Sequence, residues 1–129
     1  MRGRTVRRLA PPSDLTAFGV SHVVMEPGAW SSQRHWHDGE DEFLVMLTGE
    51  AVLVEDEGET ILKAGDCAAW PKGITNGHHL INRSDSDCCF VVVSGGESTG
   101  GGYSDIDMMF TADGRYVRKD GTDYAAGRV

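Results

Sequence analysis

Long apolar runs are missing from this sequence: none approaches the roughly 20 residues that a membrane-spanning helix needs. Basic residues are scarce as well, 12 Lys and Arg against 20 Asp and Glu, for a net charge of −8. Such a surface repels phosphate backbones, so nucleic acid is not an expected partner. The one basic stretch, Arg2, Arg4, Arg7 and Arg8, opens the chain, and residues 1–14 read as a solvated N-terminal arm. Pro11 and Pro12 follow where a secretory signal would carry its apolar segment. Cysteine is limited to Cys67, Cys88 and Cys89, an odd number. Two of them are adjacent, where a disulfide would be strained. Three free thiols in a reducing compartment, the cytoplasm, are therefore expected. No pair of thiolates has the spacing of a cysteine metal site.

What is present is a series of short apolar segments cut by glycine, of which there are 17, with no sustained helical period. Candidate strands are Phe18–Met25, Glu42–Leu47, Ala51–Glu55, Thr60–Lys63, Ala68–Trp70, His78–Asn82 and Cys89–Ser94. Turn chemistry separates them at Thr48-Gly49, Glu57-Gly58, Ala64-Gly65-Asp66 and Lys72-Gly73. Many short strands at this spacing predict an all-β fold, an antiparallel sandwich or barrel over residues 15–95. Ser94–Gly102 has the composition of a flexible glycine linker. Residues 96–129 then form that linker and a C-terminal extension. The extension carries apolar anchors, Tyr103, Ile106, Met108, Met109, Phe110, Tyr116 and Val117, which predict that it packs on the barrel.

Four of the five histidines fall in two pairs. In extended chain, residues two apart share a face. His35 and His37 can therefore converge while Trp36 turns away, and Glu42 can add a carboxylate. Two imidazoles and a carboxylate suit Mn, Fe, Co, Ni or Zn. His78 and His79 are neighbours in a predicted strand and face opposite ways, so one of the two can join. The acids Asp38, Glu40 and Asp41 read as a solvated loop, and His22 as a structural histidine. Met25, Trp30, Leu44, Met46 and Trp70 read as core or pocket wall.

The spacing around these residues resembles the two sequence motifs of the cupin superfamily. The first runs Gly, five residues, His-x-His, three or four residues, Glu, six residues, Gly; here Gly28 is followed by six residues, His35-Trp36-His37, four residues, Glu42, six residues and Gly49. The second runs Gly, five residues, Pro-x-Gly, two residues, His, three residues, Asn. Here Gly65, Pro71-Lys72-Gly73, His78 and Asn82 match it, with two additional residues before His78. The resemblance implies a double-stranded β-helix, or jelly-roll barrel, and one divalent transition metal per chain (Mn, Fe, Ni, Co, Zn or Cu). It implies His35, His37, Glu42 and His78 as the metal ligands. Asn76 stands where the motif without the insertion would place its histidine, and His79 is the next alternative. His78 is preferred because it keeps three residues to Asn82.

A cupin of this type is expected to be an enzyme on a small polar oxygenated substrate, first a dioxygenase-type oxidoreductase. A metal-dependent isomerase or lyase acting on a sugar or hydroxy acid is the second reading, and a non-catalytic small-molecule-binding module the third. His79, Arg34 and Asn76 are the candidates for catalytic groups near the metal. Because Glu42 must point inward, Leu44 and Met46 line the interior, leaving Phe43, Val45 and Leu47 outside as an apolar patch. That patch predicts a homodimer, with the N-terminal segment set against the edge of the partner.

Overall fold

In the computed structural model, which describes residues 2–124, the chain is built almost entirely of strands. The first is β1 (Arg4–Arg8), followed after a single 3-10 turn by β2 (Phe18–Met25) and β3 (His35–His37). β4 (Glu40–Thr48), β5 (Glu50–Glu55), β6 (Gly58–Lys63), β7 (Cys67–Trp70), β8 (His79–Ile81) and β9 (Cys88–Gly96) complete the barrel. β10 (Gly100–Tyr103), β11 (Met109–Thr111) and β12 (Tyr116–Val117) belong to the C-terminal extension. They form a five-stranded sheet β1-β2-β9-β4-β7, a three-stranded sheet β6-β5-β8 and a four-stranded sheet β12-β11-β10-β3. Among the described residues no helix is long and apolar enough to cross a membrane.

Alternation along each strand decides what meets in the middle. In β4, Leu44 and Met46 are each 1% exposed, while Phe43 and Leu47 on the other face are 45% and 44% exposed. The core is closed by Val23, Met25, Leu44, Met46 and Phe90 from the large sheet against Ala51, Leu53, Leu62 and Leu80 from the three-stranded one. Asn82 is fully buried at the end of β8. Its Nδ2 donates to the carbonyls of Met25 (2.9 Å) and Ser86 (2.8 Å), and its Oδ1 accepts from the Ser84 amide. It is a structural residue that satisfies backbone groups the barrel would otherwise bury unpaired.

Two expectations change. Arg4–Arg8 is not a solvated arm but an edge strand, paired antiparallel with β2. Its side chains are exposed, which is why it reads as a tail, yet its backbone supplies hydrogen bonds that the open edge of β2 requires. The glycine-rich segment is likewise not a free linker. β9 continues to Gly96, and Gly100–Tyr103 is a strand pairing with both β3 and β11. Its glycines serve close approach, not flexibility: a Cβ on Gly101 would lie 2.0 Å from the Trp36 carbonyl oxygen and 2.5 Å from the Phe110 ring.

Adding that methyl overpacks a site with backbone on one side and a ring on the other. Gly101→Ala should destabilise the protein by about 1–3 kcal/mol, read as a lowered denaturant midpoint; an unchanged midpoint would contradict the close packing. All three cysteines are free, with Cys67 exposed and Cys88 buried, its thiol pushed up to about 11 chiefly by burial. A thiol reagent should label Cys67 rapidly in native protein and Cys88 only on unfolding. In denaturant without reductant, fewer than three reactive thiols would reveal a disulfide.

Candidate metal centre

Each sheet delivers one part of a polar cluster. β3 places His35 and His37 on one face, with ring centroids 5.1 Å apart. β4 brings Glu42 inward from the large sheet. His78 stands at the head of β8 and is held to His35 by a two-way backbone bridge, His35 N–H to His78 O at 3.3 Å and His78 N–H to His35 O at 3.0 Å. The His35 and His78 rings lie 5.7 Å apart. The His78 Nε2–H donates to Glu42 Oε1 at 2.7 Å, and His37 Nε2 lies 3.7 Å from Glu42 Oε2. The structure thus draws together His35, His37, Glu42 and His78. Among the described residues no three His, Cys, Asp or Glu side chains are already arranged as a ready metal site; the ligand pairs bond to one another instead.

The walls hold these rings in place. Trp70 stacks face to face on His78, centroids 3.7 Å apart and planes within 6°, and its Nε1 donates to Glu55 Oε2 at 3.1 Å. Tyr103 and Phe110, from the C-terminal extension, close over His35 and His37 at 5.5–6.3 Å. Their role was not legible beforehand, since it depends on β10 pairing with β3. His35 Nδ1–H donates to the Gln33 carbonyl at 2.8 Å. That bond fixes the tautomer and leaves Nε2 with its lone pair.

Of the remaining sequence candidates, Asn76 alone borders a cavity at the cluster. His79 is buried facing away from the cluster, its Nδ1–H donating to the Ser32 carbonyl at 2.9 Å and its ring set edge-on against Trp30. Arg34 is spoken for by Asp56 at 2.6 Å and Asp105 at 3.0 Å. Asn76 lies on a cavity wall, accepting from the Asp56 amide and donating to Glu57. Two cavities share Glu42 and His78. One, about 130 Å³, is walled by Trp36, Glu40, Glu55, Trp70, Ile74 and Asn76. The other, about 200 Å³, reaches Arg4, Ser21, Ser31 and Ser32 past His35.

Electrostatics set the protonation states. Burial alone would push the Glu42 carboxyl up, but the hydrogen bond from His78 and the nearby His35 and His37 outweigh it and hold the carboxyl below its ordinary 4.5. Burial, with His37 and His78 as neighbours, lowers His35 below its ordinary 6.5 despite the Gln33 carbonyl. Both groups therefore bind protons less readily folded than unfolded, so stability is full above the unfolded pKa and is lost on acidification. Metal-free protein should lose stability as pH falls below about 6.5, through His35, and again below about 4.5, through Glu42. His35→Asn should remove the first step; a variant with an unchanged pH profile would contradict the assignment.

Comparison with known proteins fits this geometry. Residues 21–94 match the family model described as a Cupin domain. The structure of a sugar phosphate isomerase from a cupin superfamily, from Silicibacter pomeroyi, superposes with a TM-score of 0.90 at 45% identity, covering 98% of this chain and 83% of that one. A Cupin 2 conserved barrel domain protein from Salinispora arenicola gives 0.62 at 30% identity, over 70% of this chain and 74% of that one. Recombinant oxalate oxidase in complex with glycolate gives 0.60 at 21% identity, over 73% and 51%, a likeness of fold. Comparison with curated proteins returns no match. With both motifs on one jelly-roll barrel and the family model spanning its strands, this chain is a member of the cupin superfamily.

Proposed function

We propose that this protein is a metal-dependent isomerase of a small sugar phosphate, with His35, His37, Glu42 and His78 as the metal ligands. The observation that carries the reading is the extent of one likeness. The isomerase from Silicibacter pomeroyi matches 98% of the chain, whereas the Salinispora barrel protein and the oxalate oxidase match 70% and 73%. It therefore includes nearly all of the edge strand β1 and the extension that covers His35 and His37. The oxidoreductase reading that came first from the sequence has only fold likeness behind it.

The residues suit a divalent metal. The donor set is three imidazoles and one carboxylate, which matches a borderline transition metal. Glu42 is held ionised and His35 neutral, the states a metal requires. The Nε2 atoms of His37 and His78 both face the Glu42 carboxylate, at 3.7 and 2.7 Å, so a cation bound to Glu42 would meet both imidazoles in place of these pairings. When bound, a metal would act as a Lewis acid on a carbonyl or hydroxyl oxygen.

Aldose–ketose interconversion needs a proton carried between adjacent carbons, and the smaller cavity offers carboxylates for that work. Glu40 lies 3.8 Å from His37 Nδ1, and Glu55 is oriented by Trp70. Glu40 is the better placed general base, since no hydrogen bond among the described residues occupies it. Trp36, Trp70 and Ile74 give that cavity an apolar wall. Metal-loaded protein should interconvert an aldose and a ketose phosphate, followed by proton NMR across a panel of sugar phosphates. Glu40→Gln should lower kcat by about 100-fold or more with KM little changed, within the usual range for a lost general base. Oxygen consumption without isomerisation would overturn the reading.

We further infer that two copies associate through the outer face of the large sheet. Register places Phe43 beside Val93, Val45 beside Val91 and Val20 beside Val93, all on the side opposite Glu42. With Phe18 and Leu47 they leave a continuous apolar surface that a monomer would expose. Burying each large side chain contributes about 1.5–3 kcal/mol before entropy and desolvation costs. Light scattering should give twice the chain mass at micromolar concentration, and Val45→Asp should be a folded monomer. A wild-type monomer, or a dimeric Val45→Asp, would rule this interface out.

A further inference from the structure

The two cavities that share Glu42 and His78 differ in charge. The smaller is lined by Glu40, Glu42 and Glu55 and by no lysine or arginine; a phosphate dianion placed there would meet carboxylates on several sides. The larger is lined by Arg4 together with Ser21, Ser31 and Ser32, shares Glu42 and His78 at its inner end beside His35, has no second carboxylate, and is otherwise apolar. In a chain of net charge −8, a cavity whose wall carries one guanidinium and three hydroxyls suits an anion better than its carboxylate-lined neighbour.

The sequence places Arg4 there through strand register. β1 pairs with β2 so that Arg4 lies opposite Met25 and Val6 opposite Val23, both inward-facing core residues. Thr5 and Arg7 lie opposite Val24 and His22, on the outer face. The guanidinium of Arg4 donates through Nη1 to the Ser31 carbonyl, which anchors it at the cavity wall and uses one of its five N–H donors. Among the described residues no carboxylate forms an ion pair with it, in contrast to Arg34, Arg83 and Arg115, each held by one or two acids. A planar guanidinium with free donors recognises phosphate by paired hydrogen bonds.

We propose that Arg4, with Ser21, Ser31 and Ser32, forms the phosphate-recognition end of the substrate site. Resting on the isomerase reading, this makes the substrate a phosphorylated sugar whose reacting carbonyl lies at the histidine cluster and whose phosphate lies at Arg4. It also gives the edge strand β1 a function: docking it on β2 completes the site. A sugar without the phosphate would leave Arg4 unmatched, so discrimination against it is built into the strand.

The test is binding of inorganic phosphate to the full-length protein as purified, by calorimetry, for wild type, Arg4→Gln, Arg4→Lys and Arg7→Gln. Phosphate should bind wild type, and Arg4→Gln should weaken it at least tenfold. Arg4→Lys, which keeps the charge but not the paired donors, should bind more weakly than wild type yet more tightly than Arg4→Gln, and Arg7→Gln, which removes the same charge from the outer face, should match wild type. Absence of phosphate binding by wild type, equal binding by Arg4→Gln, or an equal loss in Arg7→Gln would overturn the proposal. Binding is read without turnover. Arg4-dependent phosphate binding in a protein that isomerises nothing would therefore sustain this inference while sinking the isomerase. In an active enzyme, Arg4→Gln should raise KM for the sugar phosphate at least tenfold with kcat within about threefold.

Discussion

The hydrogen bond from His78 Nε2–H to Glu42 Oε1, 2.7 Å long, joins residues of two different sheets, and the backbone bridge between His78 and His35 ties in the third. The three sheets therefore meet at one polar cluster. A carboxylate and three imidazoles packed so closely inside a barrel need mutual pairing or a cation, because unpaired buried charge is costly. The rest of the molecule follows from that need: Trp70 flat against His78, Asn82 closing the backbone beyond β8, and the C-terminal sheet laid over His35 and His37.

Much of this was legible before any coordinates. Strict alternation in Glu42–Leu47 says which side chains face inward once Glu42 does, and the two motif spacings bring residues 35 and 78 to the same barrel mouth. Facing alone admits one of His78 and His79, and the three-residue spacing to Asn82 prefers His78, which the structure sets against Glu42. His79 indeed bonds the Ser32 carbonyl on the far side. The glycine motif positions also behave as turns: Gly49 and Gly65 adopt φ of 71° and 90°, where a side chain is disfavoured.

What could not be read is of a different physical kind. Composition makes Arg4–Arg8 a tail and Ser94–Gly102 a linker, because both are polar or small. Their structure comes from backbone pairing to elements far away in sequence, and such pairing leaves no periodic signature in the side chains. The same long-range pairing decides that the anchors Tyr103 and Phe110 land over His35 and His37 and carries Arg4 into the larger cavity. Function is thus distributed. On the proposed reading the motif residues would make the reacting centre, while the segments outside the motifs shape what can reach it.

The account stands on the claim that one divalent metal sits where the three sheets meet. Elemental analysis of protein purified without added metal tests it most directly, comparing wild type with His37→Ala and with His79→Ala. The account predicts close to one transition-metal ion per chain in wild type and in His79→Ala, and loss of that metal in His37→Ala. Metal-free wild type that cannot be loaded, or His37→Ala that retains wild-type stoichiometry, would contradict it.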